Sequence, residues 1–189
     1  MGSGDRFALF NFWLRYGLRG GNFWGHVRYR LMTTVSSEPR GARLLAISSG
    51  GGHWIELARL SAAFDDHDVL YASTAKNLRA PSGNRNVSEI RDASRSDPVR
   101  LVGLLWDVVH LLISFRPRVI VTTGAAPGLL AIVAGKLMGC RSVWIDSVAN
   151  AETLSLSGRL TSRWADVRLT QWPHLACQRQ RVSYIGSVL

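Results

Sequence analysis

Residues 43–56 read RLLAISSGGGHWIE, and this stretch decides the fold class. Its first part, Arg43–Ser48, has the length and composition of a buried strand, and three glycines close it. From His53 to Phe64 the apolar residues recur at helical spacing, so we predict a helix directly after the turn. A buried strand, a tight turn and a helix form the repeating unit of parallel α/β sheets.

The same alternation continues to the end of the chain. We predict further strands at Val69–Ala72, Arg118–Thr123, Arg141–Asp146, Val167–Thr170 and Ser183–Ile185. Helices are predicted at Val99–Phe115 and at residues 126–138, and residues 74–98 form a long polar loop. This order predicts an α/β fold with a Rossmann-like, doubly wound parallel sheet and helices on both faces. We assign residues 42–189 to this domain and residues 1–41 to a separate N-terminal segment with a linker.

The N-terminal segment differs in composition from the rest of the chain. Residues 6–32 carry five arginines, no acidic residue and many aromatic side chains. On a helix Asn11, Arg15 and Arg19 form one polar stripe opposite a wide apolar face, which is typical of an amphipathic membrane-surface helix. The residues predicted to contact the membrane are Phe7, Phe10, Trp13, Leu14, Arg15, Arg19 and Trp24. Packing on the domain or on a partner protein is the alternative.

Charge and cysteine content limit the remaining function classes. The net charge of +10 suits an anionic partner, such as nucleic acid, an acidic lipid surface or a phosphorylated substrate. We expect no nucleic-acid partner, because no RNA-binding signature is present and arginines concentrate in the amphipathic segment. The two cysteines form no CxxC pair, and we expect no metal site and no cofactor. No window reaches the roughly 18 uncharged apolar residues of a spanning helix, so we expect peripheral membrane attachment.

Three loops follow predicted strands with polar or glycine-rich sequence, at residues 48–53, 122–128 and 146–150. Ligands of open parallel sheets bind beyond the carboxyl ends of strands, and glycine turns before helices expose N–H donors to phosphates. The predicted phosphate-binding or acceptor-binding residues are Ser49, Gly50, Gly51, Gly52, Gly124, Gly128, Ser147 and Asn150. Plain turns remain the alternative. The first loop is neither a Walker loop nor a GxGxxG motif, which disfavours nucleotide hydrolysis and NAD chemistry.

His53, Glu56 and Asp146 are the candidate catalytic residues. His53 stands at a predicted helix N-terminus, where the dipole disfavours imidazolium, so the neutral ring suits a general base. An ordinary surface histidine is the alternative. Glu56 lies one turn further along, where capping or dipole complementarity competes with catalysis. Asp146 could orient a hydroxyl, support His53, or cap the next turn.

Four motifs carry a resemblance to a known family. They are SGGGHWIE at 49–56, WIDS at 144–147, ETLSLSGRL at 152–160 and QWP at 171–173. Together they resemble the asparagine-linked glycosylation subunit that anchors the dolichyl-diphosphate N-acetylglucosaminyltransferase, and the subunits of bacterial exopolysaccharide glycosyltransferases. A weaker similarity extends to the N-terminal half of the peptidoglycan glycosyltransferase that forms lipid II.

The resemblance implies a GT-B glycosyltransferase divided between two chains. This chain would be the acceptor-binding half, at the cytoplasmic face of the inner membrane, and a partner would be the donor-binding catalytic subunit. The complex would transfer sugar from a UDP-sugar to a polyprenyl-diphosphate-linked acceptor, with His53 as general base and Glu56 and Asp146 as positioning residues. A non-catalytic membrane scaffold is the alternative. Asp146 and Asn150 stand where the eukaryotic pattern has Glu and Arg, which favours a bacterial polysaccharide role.

Overall fold

The computed structural model describes residues 41–81, 87–94 and 96–188, and the predicted membrane segment at residues 6–32 lies outside them. The strands are β1 (Arg43–Ser48), β2 (Asp68–Ser73), β3 (Ser88–Glu89), β4 (Val119–Thr122), β5 (Arg141–Ile145), β6 (Val167–Thr170) and β7 (Val182–Tyr184). The helices are α1 (Gly52–Arg59), α2 (Pro98–Phe115), α3 (Ala125–Leu137) and α4 (Leu156–Leu160), with 3₁₀ segments at Ser61–Phe64, Thr161–Arg163, Pro173–Leu175 and Gln178–Gln180.

All seven strands pair in parallel in one sheet, in the order β3-β2-β1-β4-β5-β6-β7. The chain builds outward from β1 to β3, then crosses back to place β4 beside β1. The order therefore reverses between β1 and β4, which confirms the predicted doubly wound class. The crevice beyond the carboxyl ends of these two strands is the expected ligand site of such sheets.

Most predicted elements agree with the structure within one or two residues, and two differ. The helix predicted from His53 to Phe64 ends at Arg59, and a 3₁₀ turn follows it. The predicted polar loop at 74–98 contains β3, which pairs with the end of β2. A two-residue strand has no measurable hydrophobic alternation, so periodicity does not detect it.

The sheet separates two apolar layers because successive side chains of a strand point to opposite faces. Leu44 and Ala46 of β1 join the layer that contains α1, and Leu45 and Ile47 join the layer that contains α2 and α3. These four consecutive apolar residues of β1 are thus fully buried, two on each side. Burial on both faces explains why the strands read as continuous apolar runs instead of alternating ones.

Helix α2 packs on the sheet with one side and exposes apolar residues on the other. Pro98 occupies its first turn, and the Asp97 side chain caps it by accepting a hydrogen bond from the Arg100 amide (3.0 Å). The inward stripe is buried, and the outward face exposes 71% of Trp106 and 68% of Val102.

Among the described residues, α2 is the helix long and apolar enough to cross a membrane by length and composition alone. It contains Arg100 and Asp107, which is why a search for fully uncharged windows does not select it. Because Leu104, Val108 and Leu112 are fully buried against the sheet, this helix is an integral layer of the domain.

Candidate functional site

The loops that follow β1 and β4 meet at the reversal of the strand order, and His53 joins them. Its ring Nδ1 lies 2.9 Å from the carbonyl oxygen of Thr123. In return, the Thr123 hydroxyl donates to the backbone carbonyl of His53 over 2.6 Å. Two reciprocal hydrogen bonds therefore fix the start of α1 to the end of β4. The sequence analysis did not predict Thr123 as a site residue. The signal for it was a pair of polar threonines, Thr122 and Thr123, directly after an apolar strand.

The Thr123 contact determines the tautomer of His53. A carbonyl oxygen can only accept, so Nδ1 must carry the hydrogen and the neutral ring keeps its lone pair on Nε2. No described residue hydrogen-bonds this Nε2 atom, and the side chain is half-buried. The ring packs against Gly124, where an added Cβ would lie 2.9 Å from Cε1. His53 is thus an oriented imidazole with a free basic nitrogen.

The glycines before α1 differ in their surroundings. Gly51 adopts the left-handed region (φ 68°), and side-chain positions at Gly51 and Gly52 would meet nothing within 4 Å. Gly50 is packed instead: its amide donates to the Thr74 hydroxyl (3.0 Å), and a Cβ there would contact Ala75. The neighbouring Ser49 is half-buried.

The N-terminus of α1 offers backbone donors toward this open space. The first hydrogen bond of the helix runs from the Ile55 amide to the Gly51 carbonyl (3.2 Å), and no side chain caps the turn. The amides that precede Ile55 in the helix therefore have no intrahelical acceptor. Free amides at the positive end of a helix dipole form a site for phosphate oxygens.

The glycines of the second loop have conformational and packing roles. Gly124 has φ 134°, which glycine tolerates best, and its amide donates to the Thr122 hydroxyl (3.1 Å). Gly128 is buried, and a Cβ there would lie 2.1 Å from the Thr122 hydroxyl oxygen. The close contact of α3 with β4 thus explains Gly128 without a ligand. These contacts explain both glycines without a ligand, and the predicted phosphate-binding role of Gly124 and Gly128 stays a prediction.

Glu56 is buried and bonded to a different part of the sheet. Its Oε1 accepts hydrogen bonds from the Ser147 hydroxyl (2.7 Å) and the Val148 amide (3.3 Å), and its Oε2 accepts one from the Gln171 side chain (3.1 Å). The carboxylate does not cap its own helix. Glu56 therefore ties α1 to the loops that follow β5 and β6, and Ser147 is engaged in that tie.

Asp146 organises the loop that follows β5. Its carboxylate accepts hydrogen bonds from the Ser155 amide (2.8 Å) and the Asn150 side chain (3.4 Å). Asp146 is 2% exposed, and no hydrogen bond joins it to His53 among the described residues. Asn150 thus serves the same loop. Of the alternatives left open by the sequence, the observed contacts match capping of the turn.

Gln171 connects the Glu56 carboxylate to the backbone of Asp146, and sequence reasoning did not single it out as a site residue. Its side-chain amide donates to Glu56 and to the backbone carbonyl of Asp146 (3.1 Å each), and its carbonyl accepts from the Val188 amide (2.9 Å). The QWP motif at 171–173 was a signal for this residue, since a buried glutamine at a strand end needs several partners.

Metal-binding chemistry has no candidate in the part of the chain that the structure describes. No group of three or more His, Cys, Asp or Glu side chains lies close enough there to hold an ion.

Comparison with known proteins identifies the family. The family described as "Oligosaccharide biosynthesis protein Alg14 like" matches residues 85–188, over half of the chain. The chain belongs to this family. The matched residues of this Alg14-like protein include the Asp146 loop and Gln171, whereas the glycine loop with His53 precedes them.

A curated relative extends the similarity to most of the chain. The UDP-N-acetylglucosamine transferase subunit ALG14 of Mus musculus is 23% identical over 180 residues, covering 78% of this chain and 83% of the relative.

Two solved structures share the fold at low identity. MurG of Acinetobacter baumannii superposes with a TM-score of 0.58 and 12% identity, over 77% of this chain and 46% of that one. The UDP-N-acetylglucosamine 2-epimerase of Rickettsia bellii superposes with a TM-score of 0.59 and 14% identity, over 78% of this chain and 45% of that one. The Alg14-like chain thus spans less than half of each structure.

Proposed function

We propose that this chain is the acceptor-binding, membrane-associated subunit of a two-chain glycosyltransferase. The complex transfers sugar from a UDP-sugar to a polyprenyl-diphosphate-linked acceptor in polysaccharide or glycolipid biosynthesis. One observation carries the proposal: His53 presents a free Nε2 beside an open glycine turn at the reversal of the strand order. Family membership and the name of the mouse relative support the reaction class.

In the proposed reaction His53 acts as general base. Nε2 accepts the proton of the acceptor hydroxyl while the oxygen attacks the anomeric carbon of the donor. The bond from that carbon to the diphosphate oxygen breaks, and UDP leaves with the electron pair. The hydrogen bond from Nδ1–H to the Thr123 carbonyl holds the ring in place while Nε2 takes the proton. The free amides at the start of α1 bind the diphosphate of the lipid-linked acceptor.

A donor-binding partner completes the proposed enzyme. The mouse relative is named a transferase subunit, which supports a further chain in the enzyme. UDP-N-acetylglucosamine is the first donor to test, because that relative's name specifies it. The donor would be held mainly by the partner, with its sugar facing His53.

Membrane attachment on the cytoplasmic face is the remaining element of the proposal. The outer face of α2 exposes Val99 (81%), Val102 and Trp106, an arrangement suited to the interface of a bilayer. The N-terminal amphipathic segment would add further apolar and arginine contacts with anionic lipid.

A transfer assay tests the catalytic part. The full chain is combined with its donor-binding partner in detergent, with a UDP-sugar panel and a polyprenyl-diphosphate-linked sugar, and each chain is also assayed alone. We expect turnover only with both chains, and a loss of about 10²- to 10⁴-fold for His53→Ala with the complex intact. His110→Ala, which alters an exposed histidine on α2, is the matched control. Full turnover of His53→Ala would assign catalysis to the partner and leave this chain a scaffold.

Vesicle flotation tests the membrane part. The double variant Val102→Ser/Trp106→Ser is compared with Ile55→Ser/Leu160→Ser, which alters two exposed apolar residues on other helices. We expect weaker binding to anionic vesicles only for the α2 variant. Equal binding by both variants would contradict a membrane role for this face.

A further inference from the structure

The amino edge of the sheet, opposite the glycine turn, is strongly basic. Three neighbouring strands are preceded by or begin with arginine, namely Arg43, Arg118 and Arg141. Their backbones are joined in a row, since the Arg118 amide donates to the Arg43 carbonyl (2.8 Å) and the Arg141 amide donates to the Arg118 carbonyl (2.9 Å). This edge therefore concentrates positive charge on the side of the domain that the proposed reaction does not use.

A polar cavity of about 430 Å³ opens at this edge, beside the C-terminal end of α3. Its cationic lining residues are Lys136, Arg163, Arg168 and Arg181, and Ser162 and Trp164 complete much of the wall. Helix α3 begins at the glycine edge and rises about 1.5 Å per residue, so its 13 residues separate the cavity from His53 by roughly 20 Å. The cavity is thus a separate site.

The acidic residue in the lining, Asp166, is already neutralised. Its carboxylate lies 2.7 Å from Lys136 Nζ and 3.6 Å from an Arg141 nitrogen, and it accepts a hydrogen bond from the Ser142 amide (2.9 Å). The ion pairs of Asp166 are thus made with Lys136 and Arg141, and Asp166 neutralises none of the three arginines that line the cavity.

Arg168 is the most unusual of these arginines because it is 7% exposed. Its guanidinium donates to the backbone carbonyls of Gly158 (3.2 Å) and Gln180, which carry no net charge. No carboxylate forms an ion pair with it among the described residues. Burial lowers the pKa of Arg168, and the negative charge of Asp146 partly opposes that shift. A buried charge without a counter-ion is unfavourable, so an anion in the cavity would stabilise this arrangement.

We propose that this cavity is a second anion site, which binds a phosphate monoester or diphosphate through Arg163, Arg168 and Arg181. Guanidinium groups suit this ligand class because their planar donors match phosphate oxygens in pairs. The phosphate belongs either to a phospholipid headgroup or to a soluble phosphate ester.

Titration calorimetry with inorganic pyrophosphate at fixed ionic strength tests the site in the full chain. Arg163→Gln/Arg181→Gln removes two exposed cations of the lining and leaves the buried Arg168 in place, so folding is retained. The matched control, Arg59→Gln/Arg118→Gln, removes the same charge from exposed positions outside the cavity. We expect pyrophosphate affinity at this site to fall about tenfold or more for the cavity variant only. Equal affinities for natural protein, cavity variant and control would overturn the proposal.

Two further arms separate this site from the proposed catalytic one and identify the source of the phosphate. His53→Ala should keep the cavity affinity, so failure of the catalytic proposal leaves this test unaffected. In flotation with phosphatidylcholine vesicles, with and without phosphatidic acid, loss of binding by the cavity variant alone assigns the site to a lipid headgroup. Unchanged flotation together with lost pyrophosphate binding assigns it to a soluble phosphate ester.

Discussion

The carboxyl edge of the sheet has two halves, the loops after β1 and β4 and the loops after β5 and β6. Both contain polar residues, but the first half leaves open space beside them, and in the second half they are buried in hydrogen bonds. Around β1 and β4, the glycine turn leaves side-chain space open at Gly51 and Gly52, and His53 keeps a free ring nitrogen. Around β5 and β6, the side chains of Glu56 and Asp146 are almost fully buried and bonded to neighbouring loops. The first half can receive a ligand, whereas the second half holds the first in position.

Glu56 and His53 connect the two halves because both lie on α1. They are three positions apart along the chain, so the hydrogen bonds of Glu56 to the β5 and β6 loops also fix the helix that carries the proposed base. Changes in the closed half should therefore reduce stability first, and changes in the open half should reduce ligand binding with little loss of stability.

The largest effect is expected for Glu56→Ala, which tests the closed half. The substitution leaves the Ser147 hydroxyl buried without its acceptor and removes one of the two acceptors of the Gln171 amide, and each buried N–H or O–H left unpaired costs about 1–3 kcal/mol. We expect the free energy of unfolding to fall by about 2–4 kcal/mol, measured by urea denaturation.

Glu56→Gln separates charge from hydrogen bonding in the same test. A glutamine has an NH₂ group in place of one carboxylate oxygen, so in either orientation an N–H group faces another donor, the Gln171 side chain or the Val148 amide. The Gln171 side chain cannot simply flip, because its oxygen accepts from the Val188 amide. An intermediate loss of stability is expected for this variant. Natural stability in both variants would mean that the closed half does not hold the sheet edge together.

The packing of the β4 loop predicts the next effect. Gly128→Ala would place a methyl group against the hydroxyl of Thr122, a β-branched residue that also holds the Gly124 amide, and should cost about 1–3 kcal/mol. Gly135→Ala is the matched control in the same helix, because its methyl meets the far end of the flexible Ile120 side chain (2.2 Å) and touches Cys140 Cβ only at 3.4 Å. Thermal unfolding of both variants measures the difference, and equal midpoints would refute the packing role.

The smallest stability change is expected in the open half. Gly52→Ala adds a methyl group where nothing lies within 4 Å, so the free energy of unfolding should change by less than about 0.5 kcal/mol. The methyl occupies the proposed diphosphate space, and we expect the KM for the lipid acceptor to rise about tenfold.

Gly139→Ala reverses that pattern and serves as its control. Gly139 has φ 80° at the amino edge, so alanine there should cost about 1 kcal/mol without changing the KM. A Gly52→Ala variant with unchanged KM would remove the glycine turn from acceptor binding.

Local sequence patterns predicted much of the fold. Strands β1 and β6 begin and end at the predicted residues, because fully buried strands are short apolar runs bounded by polar or glycine residues. The glycine turn and the start of α1 follow from the same local signals. Sequence patterns could not predict which side of α2 is buried and which is exposed, because apolar residues occur on all sides of this helix.

The sequence by itself determined the fold class, the glycine turn and the presence of His53 at a helix start, because each depends on residues adjacent along the chain. The tertiary structure decided which polar groups are free. Glu56 reaches Ser147 across 91 positions and Gln171 across 115, and these partners meet only because the strand order brings their loops to one edge. Hydrogen bonds between such distant residues leave no periodic signal, so the division into an open and a closed half emerges only when the sheet is assembled.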